Sequence, residues 1–176
     1  MRGLSLILTI CCVLVASLLG GCSGCTDSNN EKRPRPTREQ FIKYNRHLVH
    51  CDSVCIAQYS DSLGLNTHPS STNLWLTIHN PGHGDLIKNG DKVSMEYVVT
   101  TLLGDTLYSS AHDGIKNIVA GQCDMNIGID EALSQLRRGA DATVILIPEK
   151  AYGVRGDGGA ISGRMILRYD LKVLEQ

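Results

Sequence analysis

Aromatic surface is scarce in this chain. Of its 176 residues, one is Trp, one is Phe and six are Tyr. Phe41 and Trp75 both come early, so a pocket built later in the chain must rely on tyrosine and aliphatic side chains. A charge surplus is missing too: 17 Lys and Arg stand against 18 Asp and Glu. Arg2 is the sole charge before Cys22, so the part from Cys22 on has 16 against 18, a net of −2. That balance lacks the basic footprint of a nucleic-acid binder, and it gives no strong field to steer a highly charged partner. Signatures of nucleotide, hydrolase and metalloprotease chemistry are also missing. The chain has no Walker A loop, no Gly-x-Ser-x-Gly elbow, no His-Glu-x-x-His and no pair of Cys-x-x-Cys motifs. Gly153 to Gly163 is rich in glycine, but it follows a proline and precedes a strand pattern. A phosphate cradle opens a helix instead.

Only one long apolar run is present, Leu4 to Leu19, behind a single positive charge at Arg2. It is short for a membrane span. With small residues after it, it reads as a secretory signal covering residues 1–21. Leu19-Gly20-Gly21-Cys22 resembles a bacterial lipobox, which implies acylation of Cys22. Each buried acyl methylene would contribute about 0.8 kcal/mol to membrane retention. The expected location is therefore the bacterial cell envelope, lipid-anchored and facing the periplasm, with the leaflet left open. Seven cysteines suggest a disulfide framework, but Cys11 and Cys12 leave with the signal and Cys22 carries lipid. Cys25, Cys51, Cys55 and Cys123 remain, and four cysteines allow three pairings, among which the sequence does not choose.

Residues 22–36 are polar and hold two prolines, as a tether would. Residues 37–73 form a helical N-terminal segment. Thr37-Arg38-Glu39-Gln40 has the form of a capping box. Phe41, Tyr44, Leu48, Cys51, Cys55, Tyr59 and Leu63 then recur at helical spacing, which predicts an apolar stripe ending near Gly64. Such a helix either packs back on the domain that follows or pairs with a second copy. His47, Cys51 and Cys55 could hold a metal along one helix face, but a small apolar stripe is the simpler reading. His68, His79 and His83 match no ligand spacing and read as surface residues.

Residues 74–176 change to a period of two. Leu74 to Ile78, Val93 to Val99, Ala142 to Ile147 and Met165 to Leu174 read as strands, with a hairpin about Gly104-Asp105. Gly128 to Leu136 reads as one short helix, with Ile129, Leu133 and Leu136 on one face. Many antiparallel strands and one short helix give an α+β domain in which the helix lies across the sheet.

Gly90-Asp91-Lys92-Val93 through Tyr97, Leu103 to Ser110, Gly121-Gln122 and Gly128 to Leu133 together resemble the FKBP-type peptidyl-prolyl cis-trans isomerases. Ile147-Pro148-Glu149-Lys150-Ala151-Tyr152-Gly153 and Leu167 to Leu171 complete the series. With the signal, the capped helix and the Trp75 strand, the chain is also similar to the Bacteroidetes gliding-motility-associated lipoproteins of FKBP type. The resemblance implies an antiparallel half-barrel sheet wrapped over one short helix, with an apolar pocket between them. It implies rotation about X-Pro bonds of envelope proteins during folding, without metal or other cofactor. The alternative is a catalytically weak, proline-binding or chaperone-like lipoprotein. Proline-containing polypeptides are the implied substrates; the membrane, through the anchor, and a second copy, through the N-terminal helix, are the other partners. By position, Tyr152 would donate to the substrate carbonyl and Tyr97 would form pocket wall. Leu107, Tyr108, Met125, Asn126, Ile129, Ile161 and Tyr169 would complete the pocket. Ile129 stands where the family's floor tryptophan is usual, and Tyr108 where its aspartate is.

Overall fold

A computed structural model describes residues 35–175, apart from 66, 68 and 71. The expected signal, most of the tether, Cys22, Cys25 and His68 lie outside the described residues.

The first helix, α1 (Arg38–Ser62), has 25 residues and ends just before Gly64, as expected. It closes through the Leu65 N–H on the Ser60 carbonyl (2.9 Å) and the Gly64 N–H on the Asp61 carbonyl (3.1 Å), a paired arrangement that satisfies the last-turn acceptors. Its buried face is not the expected stripe. Phe41, Tyr44, Cys51, Cys55 and Leu63 are exposed, whereas Ile56 and Ser60 are buried, with Val49 and Ala57 half-buried beside them. The stripe counted apolar residues alone, but the helix turns toward whatever surface receives it. That surface is Trp75, Ile145 and Ile147, which cluster with Ile56. One fully buried isoleucine is worth about 1.5–3 kcal/mol, so a narrow contact can set the helix's rotation.

Six strands follow: β1 (Leu74–Asn80), β2 (Lys92–Thr101), β3 (Thr106–Ser109), β4 (Lys116–Val119), β5 (Asp141–Leu146) and β6 (Leu167–Val173). All pairings are antiparallel, in the order β1-β5-β6-β2-β3, with β4 also on β2. Strand β2 pairs with β6 along Met95 to Thr101 on one edge and shares the other between β4 and β3. Between those two partners the Tyr97 N–H would be left over; the Ser110 hydroxyl accepts it at 3.1 Å. Ser110 opens α2 (Ser110–Asp113), a single turn capped by Ser109. Neither α2 nor β4 was expected, because four residues carry too little periodicity to register.

The alternating pattern sorts the side chains as expected. Val93, Met95, Tyr97 and Val99 of β2 point into the core with Leu167, Tyr169, Leu171 and Val173 of β6. Helix α3 (Ile127–Leu133) lies over that face and buries Ile129, Ala132 and Leu133. Glycine at 128 permits close packing: a Cβ there would stand 2.4 Å from a Leu146 methyl, which would have to shift. Trp75 and Ile145 point the other way, toward α1. The sheet therefore has α3 on one face and the C-terminal half of α1 on the other. This is an α+β fold of the expected half-wrapped kind. Cys51, Cys55 and Cys123 are free and exposed.

Candidate functional site

Helix α3 starts at Asn126, whose extended backbone lets its side chain turn inward. Asn126 Oδ1 accepts the Ile129 N–H at 2.9 Å and so caps the helix. Its Nδ2 donates to the Tyr169 hydroxyl at 3.0 Å. Tyr169 is fully buried on β6. Burial holds its phenol well above the ordinary tyrosine value, and the Tyr152 phenol, charged or as its hydrogen-bond partner, adds to that, while Asn126 opposes it. One helix cap and one core tyrosine thus form a hydrogen-bonded line, and Tyr152 lies near enough to the latter to act on its charge.

That line ends in a cleft of 290 Å³ lined by Tyr97, Val99, Tyr108, Met125 and Tyr152, with Asp113, Lys116, Asp124 and Asp157 around it. Tyr97 is nearly buried, and burial raises its pKa above the usual phenol value. Among the sequence-derived candidates, Tyr97, Tyr108, Met125 and Tyr152 come together on the cleft surface. Ile129, Ile161 and Tyr169 sit behind it in the buried core, with Leu107 partly buried against them. Asn126 acts from behind as well, through Tyr169.

Tyr108 does more than line the wall. Its hydroxyl donates to Asp157 Oδ2 at 2.6 Å and accepts the Ala160 N–H at 3.2 Å. Asp157 Oδ1 accepts from the Gly159 and Ile161 N–H groups at 2.8 and 3.0 Å. The Tyr108 hydrogen bond is the main influence holding the Asp157 carboxyl below its ordinary value, and the same bond raises the Tyr108 phenol. The pair ties β3 to the glycine-rich loop across the cleft. Asp157 was not among the expected residues. Its signal was present in Asp157-Gly158-Gly159, a sequence in which an aspartate folds its own loop through following N–H groups. Asp113, also at the rim, is held low by His112, whose ring is 2.7 Å away, and by the Ser109 N–H. It is ionised at neutral pH, as is Asp157.

Among the described residues, no three His, Cys, Asp or Glu side chains converge as metal ligands would. His47 and Cys51 touch at 3.6 Å, both on the exposed side of α1. His79 reaches the Thr143 hydroxyl at 2.9 Å on the sheet's outer face. What the cleft offers is a partly dry wall of three phenols and a thioether, one of the phenols being free to donate to a carbonyl.

Residues 84–174 match the family model for FKBP-type peptidyl-prolyl cis-trans isomerases. Fkbp12 of Drosophila melanogaster is 36% identical over 98 residues, covering 54% of this chain and 90% of that protein. Human FKBP9 is 32% identical over 114 residues, which is 63% of this chain but 20% of FKBP9. The chain thus spans about a fifth of that relative's length. The crystal structure of FkpA from Escherichia coli has the same fold, with a TM-score of 0.59 at 19% identity over 80% of this chain and 73% of that one. The matched stretch takes in more than half of the chain and every strand, helix and loop that frames the cleft, and on that ground the chain belongs to the FKBP-type peptidyl-prolyl cis-trans isomerase family.

Proposed function

We propose that this chain is a peptidyl-prolyl cis-trans isomerase that acts on X-Pro bonds of envelope proteins during folding. The observation that carries this reading is the tyrosine-lined cleft between β2, β3, the segment before α3 and the glycine-rich loop, in a chain of this family. The reaction requires no nucleophile. Amide resonance sets a barrier of about 18–20 kcal/mol to rotation. A twisted amide has lost that resonance and much of its polarity, so a wall of Tyr97, Val99 and Met125 favours it over the planar form. Tyr152 lines the cleft, and its hydroxyl would donate to the substrate carbonyl. That contact holds one half of the bond while the proline half rotates. Ile129 and Tyr169, buried behind the wall, keep it rigid. A proline-limited refolding assay with the full chain tests the proposal. Acceleration in proportion to chain concentration supports it, and proline-peptide binding without acceleration supports the alternative, a binding module. That alternative draws on one observation: aliphatic Ile129 is fully buried where the family has a floor tryptophan, which leaves the cleft with less aromatic surface.

The reading extends to place and partners. Cys22 would carry the acyl chains of a periplasm-facing lipoprotein, similar to the Bacteroidetes gliding-motility-associated FKBP-type lipoproteins. Among the described residues no helix is long and apolar enough to cross a membrane, and the anchor proposed here does not need one. A homodimer through α1 is supported by its first turns, where Phe41, Ile42 and Tyr44 are 57%, 47% and 60% exposed.

A further inference from the structure

Helix α1 packs on the sheet face opposite α3, and no residue of it lines the cleft. One side chain nevertheless joins the two. Arg164 follows the glycine-rich loop and donates from its guanidinium to Asp52 of α1 at 2.6 Å. Its other terminal nitrogen donates to Glu149 at 3.1 Å, in the 3₁₀ turn (Pro148–Lys150) that leads into Tyr152. Its backbone N–H donates to the Gly153 carbonyl at 2.8 Å and so closes the neck of the loop. Inside that neck the loop is packed backbone against backbone: a Cβ on Gly156 or Gly163 would stand 2.1 Å from a carbonyl oxygen. Such a loop moves as one piece when its neck moves.

Arg164 also has a backbone φ of +60°, where a long side chain is uncommon. A glycine would fit there without strain, and strained residues persist where their surroundings hold them. Here the holding groups are two carboxylates from separate elements. Both partners are largely sheltered: the Arg164 and Asp52 side chains are 29% and 16% exposed. Burial raises the Asp52 carboxyl, the Arg164 charge opposes that, and the Glu149 charge adds to it. Without Arg164, two carboxylates would face one another.

We propose that Asp52 and Arg164 form a brace through which the N-terminal helix positions Tyr152 and the loop wall of the cleft. Asp52 and Arg164 are positioning residues, since neither touches the cleft. The inference rests on the proposed isomerase site and adds α1 to it as a working part.

Three variants of the full chain test the brace: Asp52→Asn, Arg164→Gly and Arg164→Lys. Arg164→Gly relieves the backbone strain, so it stays folded if Asp52→Asn does not. The expected result is a fall in kcat/KM of about three- to tenfold for Asn and Gly, mostly in KM, because small misplacements of a binding wall weaken binding first. Arg164→Lys should recover most of the loss. Hydrogen exchange supplies the readout that a merely structural role would not move. The Ile161 amide and the amide at position 164 should lose protection in the Asn and Gly variants, relative to their intrinsic rates, while the β5–β6 ladder keeps it. A lowered Tm with unchanged kcat/KM overturns the brace, and so does a fall in kcat/KM with unchanged loop exchange. If the unaltered chain shows no turnover, the isomerase reading fails by itself; loop exchange and the affinity for a proline tetrapeptide then decide the brace.

Discussion

Tyr169→Phe removes one oxygen from the centre of the fold and should be felt in both stability and catalysis. In the native chain the Asn126 amide gives its oxygen to the Ile129 N–H and its nitrogen to the Tyr169 hydroxyl, with Asn126 only 6% exposed. Phenylalanine fills the same volume, so no cavity forms. The cost is an amide N–H left buried without its partner, about 1–3 kcal/mol. For a folded unit of this size that lowers Tm by roughly 3–9 °C. Urea unfolding should show a lower midpoint at unchanged m. Asn126→Ala costs about 0.5–2 kcal/mol through the lost helix cap, plus whatever the stranded hydroxyl adds. The double variant should then be less destabilised than the sum of the singles, because each change already breaks the shared bond. Additivity to within about 0.5 kcal/mol would refute the shared bond. In the refolding assay Tyr169→Phe should lower kcat/KM a few-fold, since the core behind Tyr97 and Tyr152 loses the hydrogen bond that fixes the Asn126 side chain.

Three further outcomes follow from the site and the anchor. Tyr152→Phe should keep the fold and lower kcat/KM several-fold, in line with one neutral hydrogen bond of about 1 kcal/mol; no change would remove Tyr152 from the mechanism. The Tyr108–Asp157 tie should hold unchanged from about pH 8 down to about pH 5, because Asp157 has a depressed folded pKa: its contribution is full above the ordinary value of 3.8 and is lost only as pH falls through the lower folded value. Exchange of the Gly159 and Ile161 amides, corrected for its intrinsic pH dependence, checks this; a loss of their protection that begins near pH 6 would contradict the tie as the loop's anchor. Cys22→Ala should leave the chain unprocessed or soluble on fractionation, and a normally processed, membrane-bound variant would rule out the lipid anchor.

What the sequence made legible was the part governed by a strict period. Val93, Met95, Tyr97 and Val99 had to share a face because strand side chains alternate, and all four are buried. Ile129, Leu133 and Leu136 were readable in the same way, and they too are buried. The stripe on α1 failed because helical spacing gives a set of apolar residues without saying which neighbour will receive the helix. The receiving surface, Trp75 with Ile145 and Ile147, is assembled from two distant strands, and it selected Ile56, a residue outside the expected stripe. Tyr59 alone of the stripe packs against that cluster, and a polar residue on the rotated face, Asp52, was invisible to a count of apolar ones; Arg164 meets it there. Of the candidate cleft residues, Tyr97 of β2, Tyr108 of β3, Met125 just before α3 and Tyr152 after Pro148 reached the cleft surface. Those that point inward from α3 and β6 became its support.

Tyr108 shows how a departure from a family pattern can be absorbed. The resemblance of the sequence to its family implies a carboxylate at this position in β3, and here a phenol stands there. The carboxylate has not left the cleft; Asp157 supplies one from the opposite wall, and the two meet at 2.6 Å. A charge on β3 would have been free to face the ligand. On the loop it is held by one hydroxyl and two backbone N–H groups, so most of its acceptor capacity is already used. The exchange therefore converts a polar group that could orient substrate into one that orients the protein. Loop rigidity then becomes the quantity on which this cleft depends. The loop is fixed at its tip by Tyr108 and at its neck by Arg164. Activity should accordingly respond more to changes at those two anchors than to further polar substitutions inside the cleft.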